Sequence, residues 1–202
     1  MTDPAALDVL RRIRQAPPVP VGECCEMCGA PVGDDHSHVV DLARRALLCT
    51  CRPCALLFDY PDARLAYKTV PDRYRALDPL PLPVWEDLQV PVGVAFFFVN
   101  SELDRVVGVY PSPAGATESE LPLGAWDAVL AAAPALSTLV PDVEAALVRV
   151  VRGSRVEAYL VPIDVCYELV GELRRRWRGF DGGQDARQAL DRFFDRVAGR
   201  CR

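Results

Sequence analysis

Lysine is all but missing from this chain: of 23 basic residues, Lys68 alone is not an arginine. With so much alanine, proline, valine and leucine, that skew reads as the codon bias of a high-GC genome. It does not read as an arginine code for phosphate. A cationic excess is lacking as well. The formal charge is −5, whereas duplex binding rests on neutralising phosphates, so nucleic acid is not an expected partner. No segment offers the ~18 uninterrupted apolar residues of a membrane helix. Met1-Thr2-Asp3-Pro4 lacks the basic start and apolar run of a signal peptide. The expectation is a cytoplasmic protein that engages no membrane. Histidine is scarce too, occurring only as His36 and His38.

What is present is an ordinary globular balance, 50% apolar and 25% charged, which excludes wholesale disorder. Cysteine is concentrated: six of the eight fall between Cys24 and Cys54. In a cytosolic chain such a cluster points to metal or redox chemistry before disulfides. Cys25-Glu26-Met27-Cys28-Gly29 has the form of a zinc knuckle, two thiolates on one ion with a glycine that permits the turn. His38–Leu42 and Ala46–Leu48 read as two short strands. Cys51-Arg52-Pro53-Cys54 then closes the unit at the first turn of a helix, where proline is suited and thiolate is favoured over thiol. Knuckle, hairpin and cysteine pair on a helix make a treble-clef or zinc-ribbon-like module.

Cys25, Cys28, Cys51 and Cys54 are the expected ligands, with zinc as the expected ion. Cys49 alternates with Cys51 on one strand face and is an alternate ligand. Cys24 is another, given a changed turn. His36 and His38 are either a polar turn entering the strand, a ligand, or part of a second site with Cys49. The same thiols suffice for an iron–sulfur cluster, the alternative cofactor. Four thiolates fill a tetrahedral zinc and leave no place for water, so the site is expected to be structural. A nuclease-like reading requires further histidine or asparagine on the following helix, and Ala55-Leu56-Leu57-Phe58 supplies neither.

The chain divides into residues 1–21, a short basic amphipathic helix and a proline-rich linker; 22–60, the metal module; 61–91, an irregular proline-rich connection anchored by Trp85; and 92–202, an α+β domain. In that domain Val92–Val99 is a strand buried on both faces, Val106–Tyr110 its return and Pro111–Ser119 a loop. A helix around Trp126 follows, then a second hairpin, Glu144–Val151 with Val156–Val161. Asp164 caps a helix to Arg178, and Gln184–Val197 forms the last one. A four-stranded antiparallel sheet with helices packed on one face is the simplest architecture. Ser112, Thr117, Glu118 and Ser119 form either a compact turn or the lining of a ligand pocket. Cys166 reads as a buried thiol rather than a nucleophile. No catalytic grouping can be assembled from the sequence.

Several of these segments carry a resemblance. They are Cys25-Glu-Met-Cys28-Gly-Ala-Pro, His36-Ser-His38, Leu48 to Phe58, Tyr110 to Ser119, Val161 to Tyr167 and Trp177 to Gly183. Together they resemble an uncharacterised bacterial family, a domain of unknown function often encoded beside uptake nickel–iron hydrogenase genes. The resemblance implies a role near hydrogenase assembly or electron transfer, with no established activity. It also marks the Thr117 segment and Trp177 as candidate partner or ligand surface. The leading expectation is a non-enzymatic accessory protein that engages a hydrogenase subunit or maturation factor. The alternatives are an iron–sulfur or metal-transfer protein, or an enzyme using the Ser112–Ser119 segment.

Overall fold

The computed structural model describes residues 22–59, 66–122, 124–151, 155–179 and 182–201. The helix expected near the N-terminus lies outside the described residues. Among those described, no helix is long and apolar enough to cross a membrane. The architecture is α+β, with a six-stranded antiparallel sheet in place of the four-stranded one expected, and a third strand added to the hairpin expected in the cysteine-rich segment.

The smaller sheet is built on the cysteine-rich segment. Strand β1 (Ser37–Asp41) pairs with β2 (Ala46–Thr50), placing His38 directly opposite Cys49. The Asp41 carboxylate accepts from the Arg44 amide at 3.0 Å and closes the turn between them. Helix α1 (Arg52–Leu56) follows at once, with Cys51 as its N-cap residue and a proline in its first turn. Strand β3 (Tyr67–Thr69) then adds to the other edge of β1, giving the order β2-β1-β3.

The larger sheet has six strands in the order β4-β9-β8-β5-β6-β7. They are β4 (Arg75–Ala76), β5 (Val94–Asn100), β6 (Arg105–Ser112), β7 (Gly115–Ser119), β8 (Glu144–Val151) and β9 (Arg155–Pro162). Three strands come from two segments where none was expected. The 61–91 connection supplies β3 to one sheet and β4 to the other, together with helix α2 (Leu82–Asp87) carrying Trp85. Proline explains the oversight: it interrupts the sequence pattern, yet short edge strands and a helix's first turn tolerate it. The 111–119 segment is the second case. It is a hairpin in which Ser112 pairs with Gly115 and Gly108 with Ser119, not a loop.

Helices cover both faces of the large sheet, not one. Alternation along β5 shows why: Phe96 and Phe98 point to one side, Ala95 and Phe97 to the other, and all four are buried. The first face packs on α4 (Ile163–Arg176) and α5 (Gly183–Arg200) through Cys166, Leu169, Phe193 and Phe194. The second packs on α2, α3 (Ala125–Ala132) and a 3-10 turn (Pro134–Thr138) through Trp85, Val129 and Leu136. The backbone of β6 passes close under Phe97 at Gly108, where an added Cβ would stand 3.1 Å from the ring.

The small sheet rests on the first face. Val40 joins that core, with Leu42 and Leu47 packed against it. Three polar ties reinforce the seam: Lys68 to Asp142 at 2.6 Å, Arg45 to Glu118 at 2.6 Å and His38 to Asp164 at 2.8 Å.

Candidate metal centre

Cys25, Cys28, Cys51 and Cys54 bring their sulfurs within 4.8 Å of one another, two from a turn and two from the start of a helix. Local backbone chemistry makes this possible. The Gly29 amide donates to the Cys25 carbonyl at 2.8 Å, with Gly29 at φ +74°, a left-handed conformation that glycine adopts without strain. Glu26 fastens the turn to β2: its amide donates to the Cys49 carbonyl at 2.9 Å, and its carboxylate accepts from the Cys49 amide at 2.6 Å. Cys51 and Cys54 flank Pro53, and the Ala55 amide donates to the Cys51 carbonyl at 3.0 Å.

The electrostatics suit a cation. Burial opposes ionisation of Cys25, but hydrogen bonds from the amides of Cys51, Cys28 and Met27 outweigh it and lower its pKa to about 6. Cys54 moves the other way, raised to about 12 because its thiol shares hydrogen bonds with those of Cys51 and Cys28. Cys28 receives the Ala30 amide, which favours its thiolate, yet the neighbouring sulfurs leave its pKa raised. Four sulfurs this close cannot all carry charge unless a cation joins them. One sulfur pair, Cys28 and Cys51, stands at 3.7 Å, and all eight cysteines are free thiols. The donor set fits a tetrahedral zinc or an iron–sulfur cluster.

The alternate ligands fall elsewhere. Cys49, His36 and His38 form a second group, their ligand atoms also within 4.8 Å of one another. Cys24 stands apart from both groups, its thiol 3.9 Å from the Gly22 carbonyl. Strand alternation therefore does not make Cys49 and Cys51 equivalent, because β2 ends at Thr50 and Cys51 turns into the helix.

The surface candidates do not converge. Thr117 donates to the Ser112 hydroxyl at 2.9 Å, so these two side chains satisfy each other within the hairpin. Glu118 pairs with Arg45, and Ser119 sits opposite Gly108 in β7. Trp177 ends α4, roughly 20 Å along the helix from Asp164 at 1.5 Å per residue. Its indole N–H donates to the Gly179 carbonyl at 3.0 Å, and its ring packs on Gly182. It shapes the turn into α5.

Sequence reasoning missed three things. Glu26 was hidden because nothing in a knuckle pattern singles out the residue between its cysteines. Asp164 is not the helix cap expected: Pro162 holds the N-cap position, and Asp164 lies in the first turn, where its carboxylate accepts from the Val165 amide at 2.8 Å and also meets His38. A cavity of about 610 Å³ lies at the seam between the sheets, lined mainly by apolar side chains including Val40, Leu47, Phe98 and Tyr167.

No curated protein matches the chain, and neither does any solved structure. One family model does, over residues 24–201, from the first cysteine of the cluster to the last helix. The chain thus belongs to DUF5947, a family of unknown function.

Proposed function

We propose that this chain is a non-enzymatic accessory protein whose four-cysteine site holds structural zinc in a treble-clef-like module. The single observation behind the metal is the convergence of four thiols from two chain segments within 4.8 Å. Zinc bound by all four leaves no open position, which favours a structural role over a catalytic one. Leu56 and Leu57 project into solvent at the end of α1, beside the site, 47% and 66% exposed. They offer apolar contact to a protein partner. Through the resemblance described above, a hydrogenase subunit or maturation factor, met in the cytoplasm, is the partner proposed.

A second reading makes the cysteines the working part, as an iron–sulfur centre or a metal-transfer site. The exposure of Cys28 favours it, since an exposed ligand is open to exchange. Elemental analysis and the visible spectrum of anaerobically purified protein separate the two. Colourless protein with zinc at the four thiols supports the first reading. Iron with a thiolate-to-iron chromophore overturns it. Co-purification with hydrogenase components, weakened by Leu57→Asp, tests the partner.

A further inference from the structure

The second cluster has the makings of a metal site of its own. His36 and His38 stand one residue apart at the entry to β1, their ring centroids 4.6 Å apart, and Cys49 faces His38 across the β1–β2 ladder. One nitrogen of each ring and the Cys49 sulfur lie within 4.8 Å of one another.

Each of the three residues is held from behind. His36 Nδ1 is 2.7 Å from the Gly33 carbonyl, an acceptor only, so Nδ1 carries the hydrogen and Nε2 keeps a lone pair. His38 Nδ1 is 2.8 Å from the Asp164 carboxylate, which fixes the same tautomer on the second ring. That carboxylate–histidine arrangement is the one that orients imidazole toward a metal and raises its basicity. Glu26, which accepts from the Cys49 amide, holds the third residue in place.

The free nitrogen of His36 is the telling atom. Its side chain is only 8% exposed, and Nε2 is buried without a hydrogen-bond partner. A buried imidazole nitrogen left unsatisfied is costly unless something binds it. The Glu23 carboxylate stands 3.7 Å away, beyond a good hydrogen bond and largely exposed.

We propose that His36, His38 and Cys49 bind a second transition-metal ion, separate from the four-cysteine site. Three protein ligands leave one coordination position for water or an exchangeable group. Two imidazoles and a thiolate select a borderline divalent ion such as zinc, cobalt, nickel or copper over calcium or magnesium. His36 and His38 also line a groove of about 1000 Å³ in which Asp34, Asp35, Asp59, Asp164 and Glu168 outnumber Arg52, while Asp72 and Arg200 pair with each other. An ion held there is therefore reachable from solvent through that groove. His36, His38 and Cys49 are ligands here; Asp164 and Glu26 are positioning residues.

The test is anaerobic cobalt(II) titration of the full-length protein with its four-cysteine ion in place, after resident metals have been counted. One further ion per chain is expected, either resident or taken up as cobalt, with a thiolate-to-cobalt absorption band for the cobalt form. Cys49→Ser should abolish that band. His36→Gln and His38→Gln should each weaken uptake by about 100-fold or more, and Asp164→Asn by about 10-fold with a shifted spectrum. An unchanged count at the four-cysteine site in each variant shows that the module still folds. The unaltered chain gives a second measurement, because cobalt should protect Cys49 from alkylation. One ion per chain with no cobalt uptake overturns the proposal. So does a second ion that survives both Cys49→Ser and His36→Gln, or equal alkylation of Cys49 with and without cobalt.

Discussion

The cysteine-rich module and the six-stranded body solve the same problem by opposite means. Between Gly22 and Asp59, the described residues bury only Cys25, Val39, Val40 and Ala55 among apolar side chains, and Val40 belongs to the body's core. The body buries two full clusters, one on each face of its sheet. A segment with so little core cannot offset the entropy of ordering its backbone by burial alone. Under the proposed function, an ion at the four thiols would supply the missing stability, together with packing against the body.

The sharpest break of this comparison is Cys28→Ser, or removal of the metal. A structural zinc in small modules contributes on the order of 10–16 kcal/mol of binding energy that appears as folding energy. The module should therefore lose its hydrogen-exchange protection between residues 24 and 58, while β5, β8 and β9 stay protected. Loss of protection throughout the chain would mean that the two regions form one cooperative unit.

The reverse experiment strikes the body. Phe193 is 2% exposed on the first face, and Phe193→Ala should cost about 3–5 kcal/mol in denaturant unfolding. The count of metal ions per folded chain should not change. A variant that loses metal in proportion to stability would show that the body props up the cluster.

Two ion pairs measure how tightly regions are joined. Arg73 makes paired hydrogen bonds to the carboxylate of Glu144, which is wholly buried, and Glu144 also accepts from the Val140 amide at 2.8 Å. Arg73→Met strands that charge within the body and should destabilise it by about 3 kcal/mol. Lys68 joins Asp142 across the seam and is itself a third exposed. Lys68→Met should cost only about 1–2 kcal/mol, because water can partly replace the lost partner. It should loosen β3 before it loosens the body, a difference that site-resolved hydrogen exchange would read.

Legibility in the sequence follows the same divide. The convergence of Cys25, Cys28, Cys51 and Cys54 was legible, because paired cysteines at this spacing can share one ion and Gly29 takes the left-handed turn. The Glu144–Val151 and Arg155–Pro162 hairpin and the two long helices also carry clear patterns. The count of strands was not legible. Arg75–Ala76 pairs with Tyr159–Leu160, yet two residues between prolines carry no period. Strand β7, Gly115–Ser119, is polar because it is a sheet edge, so its composition imitates a loop. The covering of both faces was present in Phe96-Phe97-Phe98, since a strand buried on both sides requires something on both sides. The His36–His38–Cys49 grouping is one of the alternatives the sequence leaves open; what no residue pattern states is that Cys49 faces His38 in the ladder while Cys51, past the end of β2, joins the other three thiols.

The gentlest way to separate the two regions is pH. The metal site needs thiolates, so protons compete with the ion, and the module should release metal as pH falls. The body responds at the other end. Burial raises the Cys166 thiol well above its ordinary value of 9.0, and burial likewise raises Tyr74, Tyr159 and Tyr167 above 10.0. A folded pKa above the unfolded one means that the native state holds its proton longer. The associated stability is complete below the unfolded pKa and is lost as pH climbs past it toward the folded value. For Cys166 the decline should begin above about pH 9, and each such group can contribute at most about 1.4 kcal/mol per pH unit. Melting curves between pH 8 and 11 should fall for the body. Cys166→Ala should flatten the first part of that fall. A body indifferent to alkali would mean that Cys166 ionises in place, and that the first face is less closed to water than its burial indicates.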